Sequence, residues 1–252
     1  MNPISRRHLL SGAALGAGGF LTGCDRLNES PAFRDLLTSA EDANFTVQRA
    51  LGDRAQLARE YDADQISPVF RGNGTTNPDS PAYRAMAATG FADWRLSVRG
   101  LVERPLSLSL DALRKMPQRT QITRHDCVEG WSAIGQWTGV PLRLILDLAK
   151  VRPEARYAVF RCADTLNGGR YYESIDMIDA RHPQTIIAHR LNGAELPIAN
   201  GAPLRLRVER QLGYKQAKYI ETIELVARLD DIGDGGGGYW EDRADYAWYA
   251  GI

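Results

Sequence analysis

One segment of this chain sets a cysteine among charged residues: Arg124-His125-Asp126-Cys127-Val128-Glu129-Gly130-Trp131-Ser132. A thiolate is a soft ligand suited to a transition metal. Arg124, and His125 when protonated, would favour the thiolate by charge attraction, so they are expected to lower the thiol pKa. A free cysteine also serves as a small buried hydrophobe. Residue types alone leave both readings open. The chain holds three cysteines, at 24, 127 and 162, which excludes a disulfide framework.

Residues 120–142, TQITRHDCVEGWSAIGQWTGVPL, resemble the molybdenum-cysteine segment of the sulfite oxidase-fold molybdopterin oxidoreductases, in their haem-free bacterial branch. The pattern C-V-E-x-W-S followed by W-x-G-x-P-L carries the resemblance. A second block adds to it: Asn200 to Leu206, then Leu212-Gly213-Tyr214-Lys215, then Lys218-Tyr219. The matching region runs from about residue 94 to 227. The arm before it and the tail after 230 resemble the family weakly.

The remaining elements must position these residues. The chain has 252 residues, 44% hydrophobic and 25% charged, with no net charge. That is ordinary globular composition. Lys and Arg form no stripe, which argues against a nucleic-acid partner. No run of eighteen apolar residues suggests a transmembrane helix. Four histidines without ligand spacing argue against a zinc or haem centre.

The N-terminus reads as a targeting segment over 1–23. Ser5-Arg6-Arg7-His8-Leu9-Leu10 is a twin-arginine pattern, and glycines at 12, 16, 18 and 19 would weaken a helix there. Leu21-Thr22-Gly23-Cys24 resembles a lipoprotein cleavage box, which implies lipidation of Cys24; the alternative is ordinary cleavage nearby. With Asp25 behind an acylated Cys24, the resemblance is to lipoproteins kept at the inner membrane. The expected location is the periplasm, reached through the twin-arginine export machinery, with the membrane touched only through that lipid.

Residues 24–66 read as a linker plus an amphipathic helix over roughly 48–61. Residues 67–81 are rich in Pro, Gly, Asn and Thr and read as a loop. Strands are expected at 94–98, 121–123, 157–162, 204–208 and 219–228, and a hairpin over 185–197 turning at Asn192-Gly193. Short helices are expected at 108–115, capped by Ser109, and at 142–149. The strand at 121–123 would deliver Cys127 on the loop that follows it. The sum is a mixed, strand-rich α+β fold with a single domain over 67–230. The four-glycine run at 235–238 reads as a flexible linker, and the aromatic tail with Tyr246, Trp248 and Tyr249 as packed back on the domain.

The resemblance implies molybdenum bound by molybdopterin, with Cys127 as the protein's thiolate ligand. It implies that Asn200, Arg205, Gly213, Tyr214, Lys215, Gln216, Ala217 and Lys218 hold the cofactor, with Arg205 suited to a bidentate grip and Gly213 admitting close backbone approach. Read alone, these residues make an ordinary basic strand-loop-strand. Cys162 stands where relatives carry a pterin-contacting threonine, so it either touches the cofactor or packs quietly. Asn73 is the nearest candidate for the family's N-terminal contacting asparagine. Arg124 and His125 are candidates for the substrate side, His125 as a proton shuttle; His125 as a hydrogen-bonded loop residue is the alternative.

The expected activity is two-electron oxygen-atom transfer, in the direction of reducing an S-oxide or N-oxide, with methionine sulfoxide, free or as an oxidised protein side chain, among the substrates. The full arginine set of sulfite-oxidising enzymes is not found. No haem attachment motif is present, so electrons are expected from a separate protein, a membrane haem protein or a cytochrome. The competing expectations are a sulfite-oxidising enzyme and a lipid-anchored binding protein without catalysis.

Overall fold

The computed structural model describes residues 29–252; the twin-arginine pattern and Cys24 lie outside the described residues. The chain divides into two units, residues 1–52 and 53–252. In the first, helix α1 runs Pro31–Leu51, with proline at its start, where a missing N–H costs nothing. The helix expected at 48–61 is therefore displaced: helix ends at Leu51, and Gly52 is extended. Among the described residues, no helix is long and apolar enough to cross a membrane.

In the second unit, residues 53–66 lie along the domain. Tyr61 N–H donates to the Ile122 carbonyl at 2.9 Å, and Ala58 N–H to Gln184 Oε1 at 2.7 Å. Helix α2 is Pro81–Ala88, capped by Ser80 Oγ accepting from Tyr83 N–H. Two sheets follow. The first orders β2 (Leu106–Ser109), β1 (Arg95–Gly100), β10 (Ile220–Val226), β5 (Tyr157–Leu166) and β6 (Gly169–Asp176). Its β1–β10 pair is parallel and the others are antiparallel. The second orders β3 (Arg119–Asp126), β4 (Ser132–Pro141), β7 (Ile186–Leu191) and β8 (Ala194–Glu195), with β9 (Arg205–Arg207) also on β7.

Three short helices complete the set: α3 (Leu110–Lys115), α4 (Leu142–Ala149) and α5 (Met177–Ala180), with α6 (Tyr239–Ala244) in the C-terminal segment. Ser109 caps α3, its Oγ accepting from Ala112 N–H at 3.1 Å, as expected. Such a cap contributes about 1 kcal/mol. In α4 the buried residues are Leu142, Ile145, Leu146 and Ala149, the i, i+3, i+4, i+7 stripe of a one-sided helix. Each large aliphatic buried there contributes about 1.5–3 kcal/mol. They join Leu96, Val98, Phe160, Ile175, Ile223 and Leu225 in the main core. A smaller cluster gathers Trp137, Ile186, Ala188, Leu191 and Leu196, with Phe70 against it.

Strands β4 and β6 were not anticipated. Glycines at 135 and 139 break the strand pattern of β4, yet both have packing reasons. A Cβ at 139 would lie 2.2 Å from the Ile187 carbonyl oxygen, beside the bulge in the β4–β7 register, and one at 135 would press on the Phe70 ring at 3.0 Å. The glycine run at 235–238 is a correction of the other kind. It is packed: the Gly237 carbonyl accepts from Ser174 Oγ at 2.5 Å, and a Cβ at 238 would meet the Glu241 and Glu173 carboxylates.

Candidate active site

Strands β3 and β4 form a hairpin whose last pair is Asp126 with Ser132. The tip is closed by Cys127 N–H donating to the Trp131 carbonyl at 2.9 Å and Gly130 N–H donating to the Cys127 carbonyl at 3.0 Å. Gly130 adopts φ +86, a left-handed conformation that glycine accepts without strain. Cys127 is thereby buried at the end of the hairpin. The side-chain amide of Asn73, on the irregular segment before α2, donates to its sulfur at 3.1 Å.

Alternation along β3 sends neighbouring side chains to opposite faces. Arg124 points to the exposed face, where it pairs with Asp126 at 2.9 Å. His125 points inward and is buried, with Arg207 Nη1 3.1 Å from its Nδ1. Burial, then Arg205 and Arg207, hold its pKa well below the usual histidine value, so the ring is neutral and accepts from Arg207. The expectation that these two residues depress the thiol pKa is overturned. Burial pushes the Cys127 thiol up; the cation acting against this is Arg205.

A cavity open to solvent lies over the sulfur. Among the described residues, its cations are Arg205 and Lys218. Arg205 comes from β9, with Nη1 donating to the Asn200 carbonyl at 3.1 Å and its buried Nε without a partner. Its guanidinium lies over the Trp137 ring, 5.3 Å from the centroid. Lys218 Nζ donates to the carbonyls of Asn73 at 2.6 Å, of Thr75, and of Ala199 at 3.4 Å. Burial, then Arg205, pushes its pKa down to about 7. Opposite stands Asp164 of β5, whose carboxyl is raised by burial and whose Oδ1 has no partner.

Of the residues nominated from sequence, the cavity wall brings together Asn73, Cys127, Arg205, Gly213, Tyr214, Gln216 and Lys218. It leaves out six. Arg124 and His125 are turned away as described. Cys162 is fully buried in the apolar run of β5, its Sγ 3.9 Å from the Phe160 carbonyl. Asn200 turns its amide toward the carbonyls of Phe70 and Arg71. Ala217 is buried among core residues. Lys215 is buried too, its ammonium donating to Glu173 and Glu241 at 2.5 Å each. A lysine held between two buried carboxylates has no charge left over for a ligand.

Sequence reasoning missed Asp164, Glu129, Trp240 and Tyr246 on the wall; of Arg170, Tyr171 and Tyr172, which follow the Gly168-Gly169 turn and were candidates to reach the cavity, Tyr171 lines it. Asp164 carried a signal: it is a charged residue closing an apolar strand run, which rarely occurs without a partner or a task. Trp240 and Tyr246 carried none, because the tail that holds them shows no pattern pointing back at Cys127.

A family profile described as "Oxidoreductase molybdopterin binding domain" matches residues 84–231. The chain is 39% identical over 249 residues to the "Putative protein-methionine-sulfoxide reductase subunit YedZ1" of Azospira oryzae, covering 99% of this chain and 88% of that one. It is 31% identical over 261 residues to the "Protein-methionine-sulfoxide reductase catalytic subunit MsrP" of Xanthomonas axonopodis pv. citri, covering 98% of this chain and 76% of that one. The same named subunit from Ralstonia nicotianae is 32% identical over 88% of this chain and 68% of that one. Among solved structures, the sulfane dehydrogenase SoxCD from Paracoccus pantotrophus is similar at a TM-score of 0.50 and 25% identity. That likeness covers 54% of this chain and 39% of the solved one. With the profile spanning the cysteine hairpin, both sheets' central strands and the Arg205–Lys218 wall, the chain belongs to the molybdopterin-binding oxidoreductases of the sulfite oxidase fold, and it is an enzyme of that family.

Proposed function

We propose that this chain reduces S-oxides, methionine sulfoxide among them, with electrons delivered by a separate redox protein. The observation that carries the reading is the Cys127 thiol, buried under an open cavity and already accepting a hydrogen bond from the Asn73 amide. The cavity fits the cofactor of the family on its own chemistry. Arg205 Nε and Asp164 Oδ1 are buried polar atoms lacking partners, which is costly unless a polar ligand meets them. Cys127 would supply the thiolate. Arg205 and Lys218 would face the anionic part of the pterin, with Gln216 and Asp164 toward its hydrogen-bonding groups. When bound, molybdenum on a pterin dithiolene supplies two-electron oxygen-atom exchange.

The chain's own residues do the rest. Asn73 orients and polarises the sulfur. Arg205 offers positive charge in a site that burial makes low in dielectric. Asp164, its carboxyl raised by burial, holds a proton at the cavity wall more tightly than a free carboxylic acid would. The net change is R₂S=O plus two electrons and two protons giving R₂S and water. The sulfur–oxygen bond breaks, the thioether is the reduced product, and the donor, a haem protein or cytochrome, is oxidised.

Export through the twin-arginine route, residence in the periplasm and lipidation of Cys24 belong to the same proposal. They rest on the N-terminal sequence; the separate electron donor is supported by relatives named as catalytic subunits, a wording that implies a partner subunit for those proteins. The test is the full chain produced with active cofactor synthesis, alongside Cys127→Ser. The expected result is about one molybdenum and one pterin per chain, reduction of methionine sulfoxide by a reduced viologen dye, and no turnover in the variant. Loaded wild type that reduces no S-oxide, or a loaded variant that turns over normally, defeats the proposal.

A further inference from the structure

The wall of the cavity includes residues from outside the span the family profile matches. Trp240 and Tyr246 belong to the segment after β10, beyond residue 231. They stack on each other with centroids 5.7 Å apart and an interplanar angle of 22°. Tyr246 meets Tyr214 edge-on at 5.0 Å, and Trp240 meets Tyr239 edge-on at 5.4 Å. Both residues are half-buried and line the cavity.

This aromatic wall is held rigidly from behind. Glu241, next to Trp240, is fixed by the buried Lys215, which Glu173 grips from β6. Asp242 accepts from the N–H groups of Asp234 and Gly236 and from the Tyr172 hydroxyl. Beyond Tyr246, the Ala247 carbonyl accepts from Tyr214 Oη at 2.6 Å, and Trp248 Nε1 donates to Ser174 Oγ at 2.8 Å. A side chain fixed on both flanks loses little freedom when a ligand arrives.

Charge decides what that wall can receive. Among the described residues, the cations lining the cavity are Arg205 and Lys218. Lys218 is spent on three carbonyls, and the proposed function assigns both to the cofactor's anionic part. Arg124 faces away and is paired with Asp126. Glu129, on the lip beside Cys127, adds negative charge. An anionic oxo-substrate such as sulfite finds no remaining cation. A neutral alkyl S-oxide needs none, and its methyl and sulfur suit contact with aromatic faces.

We infer that Trp240 and Tyr246 of the C-terminal segment are specificity-determining residues, forming the subsite for the alkyl group of a neutral S-oxide. This rests on the proposed function and names the part of the site that selects its substrate. The test compares wild type, Trp240→Ala and Trp240→Phe as loaded enzymes, with methionine sulfoxide under reduced viologen and with sulfite under an electron acceptor. Molybdenum content and thermal midpoint report whether each variant is intact.

The expected result is a KM for methionine sulfoxide raised about tenfold in Trp240→Ala, with kcat changed far less. Trp240→Phe keeps KM near wild type, and sulfite is not oxidised. An unchanged KM in Trp240→Ala, with wild type active on S-oxides, overturns the subsite while leaving the proposed function standing. Sulfite turnover rivalling that of methionine sulfoxide overturns the charge argument. If Trp240→Ala fails to load, Tyr246→Leu replaces it under the same criteria. Loaded wild type inactive on every S-oxide defeats the function first and the subsite with it.

Discussion

The amide of Asn73 donates to the sulfur of Cys127 at 3.1 Å, joining positions 54 residues apart. The contact brings the irregular segment before α2 onto the one side chain the chemistry needs. Groups that hydrogen-bond a metal ligand tune it, and their loss costs about 10–100-fold in activity or metal affinity. Asn73→Ala is therefore expected to lower turnover of methionine sulfoxide by about tenfold or more. Molybdenum content and kcat, measured together on the variant, check this. A fully loaded variant with wild-type kcat contradicts it.

Gly213 sits against His125. A Cβ there would lie 2.5 Å from Cε1 and 2.6 Å from Nε2 of the ring, and 3.2 Å from the Asp126 carbonyl oxygen. The ring cannot yield easily, since Phe70 and Trp131 flank it at 5.6 and 5.5 Å. Gly213→Ala should destabilise the fold by about 1–3 kcal/mol, the cost of overpacking. Urea unfolding of the variant beside wild type measures it, and an unchanged midpoint refutes the packing account.

The triad of Lys215, Glu173 and Glu241 is fully out of water. Burial raises the Glu173 carboxyl well above its usual value, against the pull of Lys215. The folded chain then binds that proton more tightly than the unfolded chain. Stability from this group is present at low pH and declines as pH rises from about 4.5 through the folded value. Lys215 works in the opposite range: its pKa is raised, so its contribution is lost only as pH climbs above 10.5. Glu173→Gln should flatten the stability profile above pH 4.5. Lys215→Met should cost about 3–5 kcal/mol, because it strands two buried carboxylates. Denaturant unfolding between pH 5 and 8 tests both; parallel profiles for wild type and Glu173→Gln would sink the assignment.

Lys218 has the reverse sign. Its pKa falls from 10.5 to about 7 through burial and Arg205, with Asp164 and Cys162 facing it and acting the other way. Between those values the unfolded chain carries the extra proton, so this group makes stability rise with pH. Lys218→Met is expected to remove that rise. Unfolding free energies at pH 7 and pH 9 in the two proteins check it, and an unchanged difference between the two pH values rejects it.

The parts of this site that are encoded locally were legible in the sequence. The strand that delivers Cys127, helix α4, the Ser109 cap and the Asn192–Gly193 turn each follow from a few adjacent residues. Asn192 and Gly193 take φ +50 and +78, as a type I′ turn requires. What was not legible depends on pairing across the chain. Lys215 beside Gly213 and Tyr214 reads as a ligand-facing cation until Glu173 and Glu241 arrive from 42 and 26 residues away. Arg124 and His125 looked alike as neighbours of the thiol; strand alternation, and the face β3 turns inward, separated them. The glycine run looked mobile because composition cannot report that Ser174 and Asp242 fill the space a side chain would need.

The parallel pairing of β1 with β10 sets an order of assembly. Ser97 meets Thr222, and Gly100 meets Leu225, so the first sheet has no closed centre until some 125 residues beyond β1 have been made. Loop closure of that length is entropically expensive and slows folding. Arg205 and Lys218 lie inside the interval, and Trp240 lies after it. No nascent fragment therefore carries a finished cavity. The site is complete only after Trp240 has been made, once the strands of the sheet that frames it are all present.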